Sequence, residues 1–303
     1  MALWTRYHVP RTVEETLRLL AHYQGAARVV AGGTDLLLEM RQGDRPAVEA
    51  LVDITHIPEL RRLEQAGEWI VIGAGVTHAQ IASSSLLIEK ATCLAESCGV
   101  VGGPQVRNVA TLGGNVVNAL PAADGTTSLM VLNAEAEVWQ GGERRWVALP
   151  HLFTGPGESL IDPTCDLLLA FRFRPCDALE GTAFKRIMRP QGVALPIMAC
   201  AVWVRLGSDR STLEDVRICI GPIAPRPARA FEVEEVLRGG CFEEELLDRA
   251  VRVARDRLHP RASKYRATAE YRVGMIEVLL RRTIPLAVQR ARSGEVTLED
   301  ASE

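Results

Sequence analysis

The sequence predicts an α+β protein with more than one domain. Its first fifty residues alternate strand-like and helix-like runs around a glycine-rich turn, and Leu167–Phe173 is a clear apolar strand. After residue 198, two strand-like runs are followed by long helical patterns. A chain of 303 residues is long enough for two or three domains of about 100–200 residues each. We place boundaries near residues 55 and 175, which divides the chain into 1–55, 56–175 and 176–303.

Each predicted element follows from a local pattern. Thr12 and Glu15 have the spacing of a helix-capping box, and glycines follow the two N-terminal helical runs. The N-terminal elements are a helix from Thr12 to Gly25, a strand at 28–31, a helix at 35–40 and a strand at 48–54. The later ones are strands at 69–73, 167–173, 198–205 and 213–220, and helices at 79–88, 89–97, 243–257 and 267–282. For residues 128–139 and 146–149 the pattern leaves strand and helix both open.

Composition excludes several classes of function. A hydrophobic content of 47% and a charged content of 24% are those of an ordinary globular protein. The net charge of −3 gives no electrostatic case for nucleic-acid binding. No apolar run approaches the roughly 20 residues of a membrane helix. The N-terminus, MALWTRYHVP, lacks the apolar region of a signal peptide, so we expect a cytoplasmic protein.

The seven cysteines and six histidines show no metal-binding pattern. There is no CxxC pair and no spacing of cysteine with histidine that suits a metal. We therefore expect reduced, mostly buried thiols, no metal site and no iron–sulfur cluster in this chain.

Residues Val29–Leu36, VVAGGTDL, form the first candidate binding segment. A strand enters it, two glycines turn the chain and a helix leaves it, and the N–H groups at a helix N-terminus attract anions. Thr34 adds a hydroxyl donor. Asp35 would repel a phosphate, so we expect it to cap the helix. A plain strand-to-helix turn is the alternative.

Residues Arg107–Asp124, RNVATLGGNVVNALPAAD, form the second and denser candidate. Gly113–Gly114 in a buried run allows a close approach to the backbone. Asn115 and Asp124 suit hydrogen bonds to a ligand, and a carboxylate favours sugar hydroxyls over phosphate. Arg107 is either a phosphate partner or a surface residue. The two segments, about eighty residues apart, predict one long phosphate-bearing ligand held from two sides.

Catalytic motifs are missing from the sequence. Gly73 and Gly75 follow a strand as in a dinucleotide-binding fingerprint, but His78 stands where a third small residue is needed, and we expect it to begin a helix. There is also no GxSxG, HExxH or paired cysteine and histidine. A chain that binds a nucleotide cofactor without acid–base groups leaves the chemistry to the cofactor.

Four segments together resemble the FAD-binding (medium) subunit of the molybdenum hydroxylases, the family of xanthine and carbon monoxide dehydrogenases. They are AGGTDLLLEMR at 31–41, QVRNVATLGGNVVNALPAAD at 105–124, AFKR at 183–186 and, less specifically, ASKYRATAEYRVGMIEVLLRR at 262–282. The likeness runs in order over nearly the whole chain. It implies a two-subdomain FAD-binding fold of the p-cresol methylhydroxylase and vanillyl-alcohol oxidase type, followed by a C-terminal three-stranded sheet with helices.

The resemblance implies non-covalently bound FAD and no catalytic residue in this chain. It implies that the pyrophosphate contacts residues 30–36 and the Thr111–Asn115 loop. It also implies that Asp124 binds ribityl or ribose hydroxyls. Lys185 matches a lysine that approaches the flavin, where a cation favours the reduced, anionic form. The residues implied to bind FAD are Val29, Val30, Ala31, Gly32, Gly33, Thr34, Asp35, Leu36, Val101, Ala110, Thr111, Gly113, Gly114, Asn115, Asp124, Leu168 and Lys185.

The resemblance also implies that the chain is one of three subunits, arranged as a dimer of heterotrimers. A large subunit with molybdopterin would hydroxylate the substrate, and a small subunit would carry two [2Fe–2S] clusters. This chain would pass the electrons to NAD, a quinone or another acceptor. Two alternatives remain: a stand-alone flavin oxidase or reductase, and a non-catalytic flavin-binding scaffold. Thr34 and Asp35 stand where covalent-flavin oxidases usually place His or Cys, which disfavours that kind of oxidase.

Overall fold

Three main β-sheets follow one another along the chain. The computed structural model describes residues 2–189, 195–260, 262–263 and 266–298, so two residues of the C-terminal segment of resemblance lie outside it. The strands are β1 (Arg6–His8), β2 (Ala27–Val30), β3 (Ala50–Asp53), β4 (Leu63–Ala66), β5 (Trp69–Gly73), β6 (Glu135–Gln140), β7 (Glu143–Ala148), β8 (Phe153–Gly155), β9 (Glu158–Ser159), β10 (Leu167–Phe173), β11 (Glu180–Ile187), β12 (Met198–Leu206) and β13 (Leu213–Gly221). The α-helices are α1 (Val13–Tyr23), α2 (Leu36–Gln42), α3 (His78–Ala82), α4 (Ser85–Lys90), α5 (Thr92–Gly99), α6 (Pro104–Arg107), α7 (Leu112–Val117), α8 (Asp124–Val131), α9 (Phe231–Leu237), α10 (Glu244–Arg257) and α11 (Ala269–Ser293).

The first sheet is parallel, in the order β1-β3-β2. Helix α1 packs on it through the buried Val13 and Leu20. Thr12 caps α1 as predicted, because its hydroxyl accepts a hydrogen bond from the Glu15 amide at 3.1 Å. The reciprocal half of the capping box is shifted by one residue, since the Glu15 carboxylate accepts from the Arg11 amide at 2.7 Å.

The second sheet is antiparallel, in the order β4-β5-β10-β6-β7. Its strand β10 is buried on both faces. Phe171 and Phe173 enter the largest core cluster with helices α3–α5, whereas Leu167 and Leu169 enter the cluster under the first sheet. A single apolar strand thus holds the first two sheets together, which explains why its seven residues are almost all hydrophobic.

The third sheet is antiparallel, in the order β11-β12-β13, and packs against α9, α10 and α11. This confirms the expected α+β architecture with a C-terminal three-stranded sheet and helices. The predicted end of the last helix at Arg282 is wrong, because α11 continues through Pro285 to Ser293. Beyond the proline, Ala287 and Val288 remain buried in the C-terminal core, and this packing outweighs the backbone bond that proline removes.

Two other predicted elements are divided in the structure. The helix expected at 79–88 becomes α3 and α4, because Ser84 accepts a hydrogen bond from the Leu87 amide and begins a new helix. The helix expected at 89–97 begins only at Thr92. The ambiguous run 128–139 contains the end of α8 and most of β6.

A buried ion pair joins the second sheet's helices to the C-terminal sheet. Arg290 of α11 lies 2.6 Å from Glu96 of α5, and both side chains are almost fully buried. Glu96 also accepts from the Phe184 amide of β11, and Arg290 donates to the Thr182 carbonyl on the same strand. These bonds hold the Thr182–Phe184 part of β11 against α5 and α11. In the described part of the chain, no helix has the length and apolar character needed to span a bilayer.

Candidate cofactor-binding site

A cavity of about 790 Å³ is lined by residues from all three sheet units. This volume lies within the range of about 300–1,000 Å³ that is typical of small-molecule sites. Both glycine-rich segments contribute to its wall, as do Arg186, Pro222 and Arg272 of the C-terminal unit. A ligand in this cavity would therefore contact both the N-terminal units and the C-terminal unit.

The first glycine-rich segment lines the cavity and has unbonded backbone N–H groups. Within the described ranges, no protein acceptor is found for the amides of Gly32, Gly33, Thr34 or Asp35. Gly33 has φ +66°, a left-handed conformation that glycine adopts without a steric penalty. Successive unbonded amides in the wall of one concavity suit an oxygen-rich anion.

Asp35 takes a different role from the one predicted. It occupies the N-cap position of α2, but its side chain makes no capping hydrogen bond. Its own backbone is already helical, and its carboxyl instead interacts with the side chain of Asn118 at the end of the second segment's helix. Burial and the neighbouring Glu39 raise the pKa of this carboxyl. The predicted cap was therefore wrong, and Asp35 instead connects two walls of the cavity.

The two glycine-rich segments touch each other at Gly32. A Cβ atom on Gly32 would lie 2.1 Å from the carbonyl oxygen of Val109 and 2.8 Å from Cα of Ala110. Only glycine allows the two backbones to come this close. The predicted proximity of the segments is thus present, and its physical basis is this backbone contact.

The second segment uses its amides inside the protein. Its Leu112 and Gly113 amides donate to the carbonyls of Val76 and Ala74, at 3.0 and 2.9 Å. A Cβ on Gly113 would lie 2.6 Å from the Ala74 oxygen, so its missing side chain makes room for protein and not for a ligand. The Gly114 amide donates to the Thr111 hydroxyl, which caps α7. This segment therefore brings side chains, more than amides, to the cavity.

Asp124 and Arg186 form a buried ion pair in the cavity wall. Arg186 Nη1 lies 2.9 Å from Asp124 Oδ2, and the two side chains are 10% and 4% exposed. The other carboxylate oxygen, Oδ1, is buried and has no hydrogen-bond partner among the described residues. Burial raises the pKa of Asp124 to about 7, while Arg186 opposes this rise.

His78 begins helix α3, as predicted, and also lines the cavity. Its backbone amide donates to the Ala110 carbonyl at 3.0 Å, which ties it to the second segment. Burial, with a smaller contribution from the charge of Arg107, lowers the pKa of the imidazole to about 4. Its Nδ1 is buried and unpartnered within the described residues. At neutral pH this is a neutral ring that still requires a hydrogen-bond partner.

Fourteen of the seventeen residues implied to bind a cofactor lie in the cavity wall. These fourteen are Val29, Val30, Ala31, Gly32, Gly33, Thr34, Asp35, Leu36, Val101, Ala110, Thr111, Gly114, Asn115 and Asp124. Gly113, Leu168 and Lys185 are not among the wall residues: Gly113 packs on Ala74, Leu168 lies in the main core, and Lys185 is on β11 opposite Cys200. Arg107 donates to the carbonyls of Val101 and Gly102 and so supports the wall from behind.

Several charged or titratable wall residues were not predicted. They are Arg28, Glu39, Arg45, His78, Arg186, Arg266 and Arg272. Most of them lie inside or beside the segments that carry the resemblance, so the sequence held a partial signal. The sequence did not show which of two neighbouring residues lines the cavity, for example Lys185 or Arg186.

Comparison with known families agrees with this architecture. Residues 3–173 match the family model described as the FAD binding domain in molybdopterin dehydrogenase. Residues 182–286 match the model described as the CO dehydrogenase flavoprotein C-terminal domain. The two matched regions correspond to the first two sheet units and to the third.

Individual relatives match over nearly their whole length. The xanthine dehydrogenase FAD-binding subunit of Escherichia coli O157:H7 is 29% identical, over 94% of this chain and 96% of the relative. The carbon monoxide dehydrogenase medium chain of Afipia carboxidovorans is 31% identical, over 95% and 98%. The carbon monoxide dehydrogenase structure from Hydrogenophaga pseudoflava superposes with a TM-score of 0.87 at 29% identity, over 94% and 97%. The chain belongs to the family of FAD-binding medium subunits of xanthine- and CO-dehydrogenase-type molybdenum hydroxylases.

Proposed function

We propose that this chain holds FAD in the described cavity and serves as the electron-transfer subunit of a molybdenum hydroxylase. It would take electrons from the [2Fe–2S] clusters of a small subunit and deliver them to NAD, a quinone or another acceptor. A large molybdopterin subunit would oxidise the substrate, and the whole would form a dimer of heterotrimers. The observation that carries the proposal is the backbone contact at Gly32, which joins the two glycine-rich segments around one cavity.

The wall chemistry fits a dinucleotide with a pyrophosphate. Four neighbouring amides of the first segment have no protein acceptor in the described structure. Among the described wall residues, five arginines face three carboxylic acids, so the wall carries an excess of positive charge. Two buried side-chain atoms, His78 Nδ1 and Asp124 Oδ1, lack partners inside the described part of the protein. Amides and cations suit phosphate oxygens, and a carboxylate oxygen suits a sugar hydroxyl.

We assign roles to the wall residues on this basis. Residues Gly32–Asp35 would bind the pyrophosphate through their amides, and Thr34 would add its hydroxyl. Asp124 would accept a hydrogen bond from a ribityl or ribose hydroxyl. FAD itself supplies the capacity to accept and release electrons singly or in pairs.

Titration of the full-length chain with FAD tests the binding proposal. Flavin fluorescence quenching should give one FAD per chain. Because the glycine-rich segments and the C-terminal unit all line the cavity, FMN and AMP, which are the two halves of FAD, should each bind more weakly than FAD. Equal affinity for FMN and FAD would contradict a site built for the dinucleotide.

The electron-transfer role needs a second experiment. The complex isolated with its partner subunits should contain molybdenum and iron, and substrate should reduce its flavin. The chain alone, loaded with FAD, should not oxidise the same substrate. Unaided turnover by the isolated chain would favour a stand-alone flavoenzyme. Comparison of NAD and quinone acceptors in the complex would identify the acceptor, and the cytoplasmic location expected from the sequence stays a prediction.

A further inference from the structure

We propose that Arg186 is a positioning residue for the bound cofactor, since it holds Asp124 as a carboxylate whose second oxygen receives a ligand hydroxyl. The proposal rests on the proposed function, because the hydroxyl belongs to FAD. Neither the sequence motifs nor the resemblance assigns a role to Arg186. Its neighbour Lys185 was the cation expected at the cofactor.

The geometry of the pair supports this role. Arg186 Nη1 binds Oδ2 of Asp124 at 2.9 Å and leaves Oδ1 without a partner among the described residues. Both residues lie in the cavity wall. A carboxylate that is fixed through one oxygen presents the other in a defined direction, as an acceptor only. A hydroxyl is the kind of ligand group that can donate to it.

Strand geometry explains why Arg186, and not Lys185, has this position. Consecutive side chains on β11 point to opposite faces of the sheet. Arg186 reaches the cavity, whereas Lys185 does not contribute to its wall. Because Asp124 begins α8 and Arg186 lies on β11, the ion pair also connects the N-terminal units with the C-terminal sheet.

Electrostatics makes Arg186 the residue that decides the charge of Asp124. Burial favours the neutral acid, and the nearby guanidinium opposes it, with a resulting pKa of about 7. Among the described residues, titratable groups around α8 include His78 of α3, Cys93 and Cys98 of α5 and, near the far end of the helix at Val131, Arg217 of β13. At neutral pH, His78 and both cysteines are uncharged because burial lowers the pKa of the imidazole and raises that of the thiols. Loss of Arg186 should therefore leave Asp124 protonated at pH 7.

The test is the pH dependence of FAD affinity in the full chain between pH 6 and 9. If binding requires the carboxylate, wild-type affinity should fall as pH decreases below about 7. Arg186→Gln should move the midpoint of this profile to higher pH, and affinity at pH 7 should fall about tenfold for each pH unit that the midpoint moves. At pH 9 the variant should regain much of its affinity. Arg186→Lys, which keeps a cation, should stay closer to the wild-type profile.

Arg290→Gln is the matched control. It breaks a buried arginine–carboxylate pair between the same parts of the chain, but neither Arg290 nor Glu96 lines the cavity. It should lower thermal stability and leave the midpoint of the pH profile unchanged. If Arg290→Gln shifts the midpoint as far as Arg186→Gln does, loss of an interdomain contact explains both, and the proposal is overturned.

Two further outcomes distinguish a failure of the Arg186 proposal from a failure of the proposed function. If the wild-type chain binds no FAD, the proposed function fails and the role of Arg186 fails with it. If the wild type binds FAD and Arg186→Gln keeps the wild-type pH profile, only the role of Arg186 is overturned. Should Arg186→Gln not fold, Asp124→Asn takes its place: a profile without the midpoint near pH 7 supports the proposal, and an unchanged profile refutes it.

Discussion

Gly32→Ala is the substitution for which the structure predicts the clearest effect on the cavity. The added Cβ would lie 2.1 Å from the Val109 oxygen and 2.7 Å from its carbonyl carbon, whereas real Cβ contacts essentially never fall below 3.0 Å. The two glycine-rich segments must therefore separate by about 0.9 Å. Both partners are backbone, so no side chain can rotate away to relieve the contact.

The cost of this separation should appear in both folding and binding. Overpacking of this kind typically costs about 1–3 kcal/mol. If the bound cofactor needs the native spacing of the segments, the same free energy corresponds to a loss of about 5- to 150-fold in FAD affinity. Thermal unfolding with and without FAD, together with fluorescence titration, would measure both quantities.

Gly274→Ala is the control for Gly32→Ala. Gly274 lies inside helix α11, and a Cβ there would meet nothing within 4 Å. Because alanine is a better helix former than glycine, this variant should be more stable by about 0.5–1 kcal/mol, with unchanged FAD affinity. Wild-type stability and wild-type FAD affinity in Gly32→Ala would refute the reasoning about the segment contact.

Two further predictions concern buried charges. Glu96→Gln leaves Arg290 buried without its counter-ion and should lower the free energy of unfolding in denaturant by about 3 kcal/mol. Glu214→Gln, which breaks an exposed pair, should lower it by less than about 1 kcal/mol. Equal losses in the two variants would contradict the burial argument. His78 has a folded pKa of about 4 against 6.5 for the free side chain, so the unfolded chain binds the proton first and stability should fall by about 3 kcal/mol as pH drops from 6.5 to 4. His78→Gln should remove this part of the pH dependence, and the exposed His151→Gln should keep it.

The sequence was most informative where local chemistry decides structure. The strand at Leu167–Phe173, the cap at Thr12 and the start of α3 at His78 were predicted correctly, since each depends on a few neighbouring residues. The continuation of α11 through Pro285 was missed, because the apolar contacts that stabilise it come from the distant β11 and β12.

In the site, too, the sequence located the segments but did not assign the role of each residue. The sequence located both glycine-rich segments, but it gave Gly113 and Gly114 the same ligand-facing role. In the structure Gly113 packs against Ala74, and only Gly114 lies in the cavity wall. Likewise, the sequence identified the AFKR motif, but whether Lys185 or Arg186 lines the cavity depended on which face of β11 meets it.

By itself, the sequence identified the family through the resemblance of four segments. It also predicted the fold class and the two segments that line the cavity, because glycine spacing and apolar periodicity are local properties of the chain. Only the tertiary structure decided that Gly32 contacts Val109, that Arg186 pairs with Asp124 and that His78 Nδ1 is buried without a partner among the described residues. Each of these facts depends on residues far apart in the chain. Their separation is set by the packing of three sheets around one cavity, which no local pattern encodes.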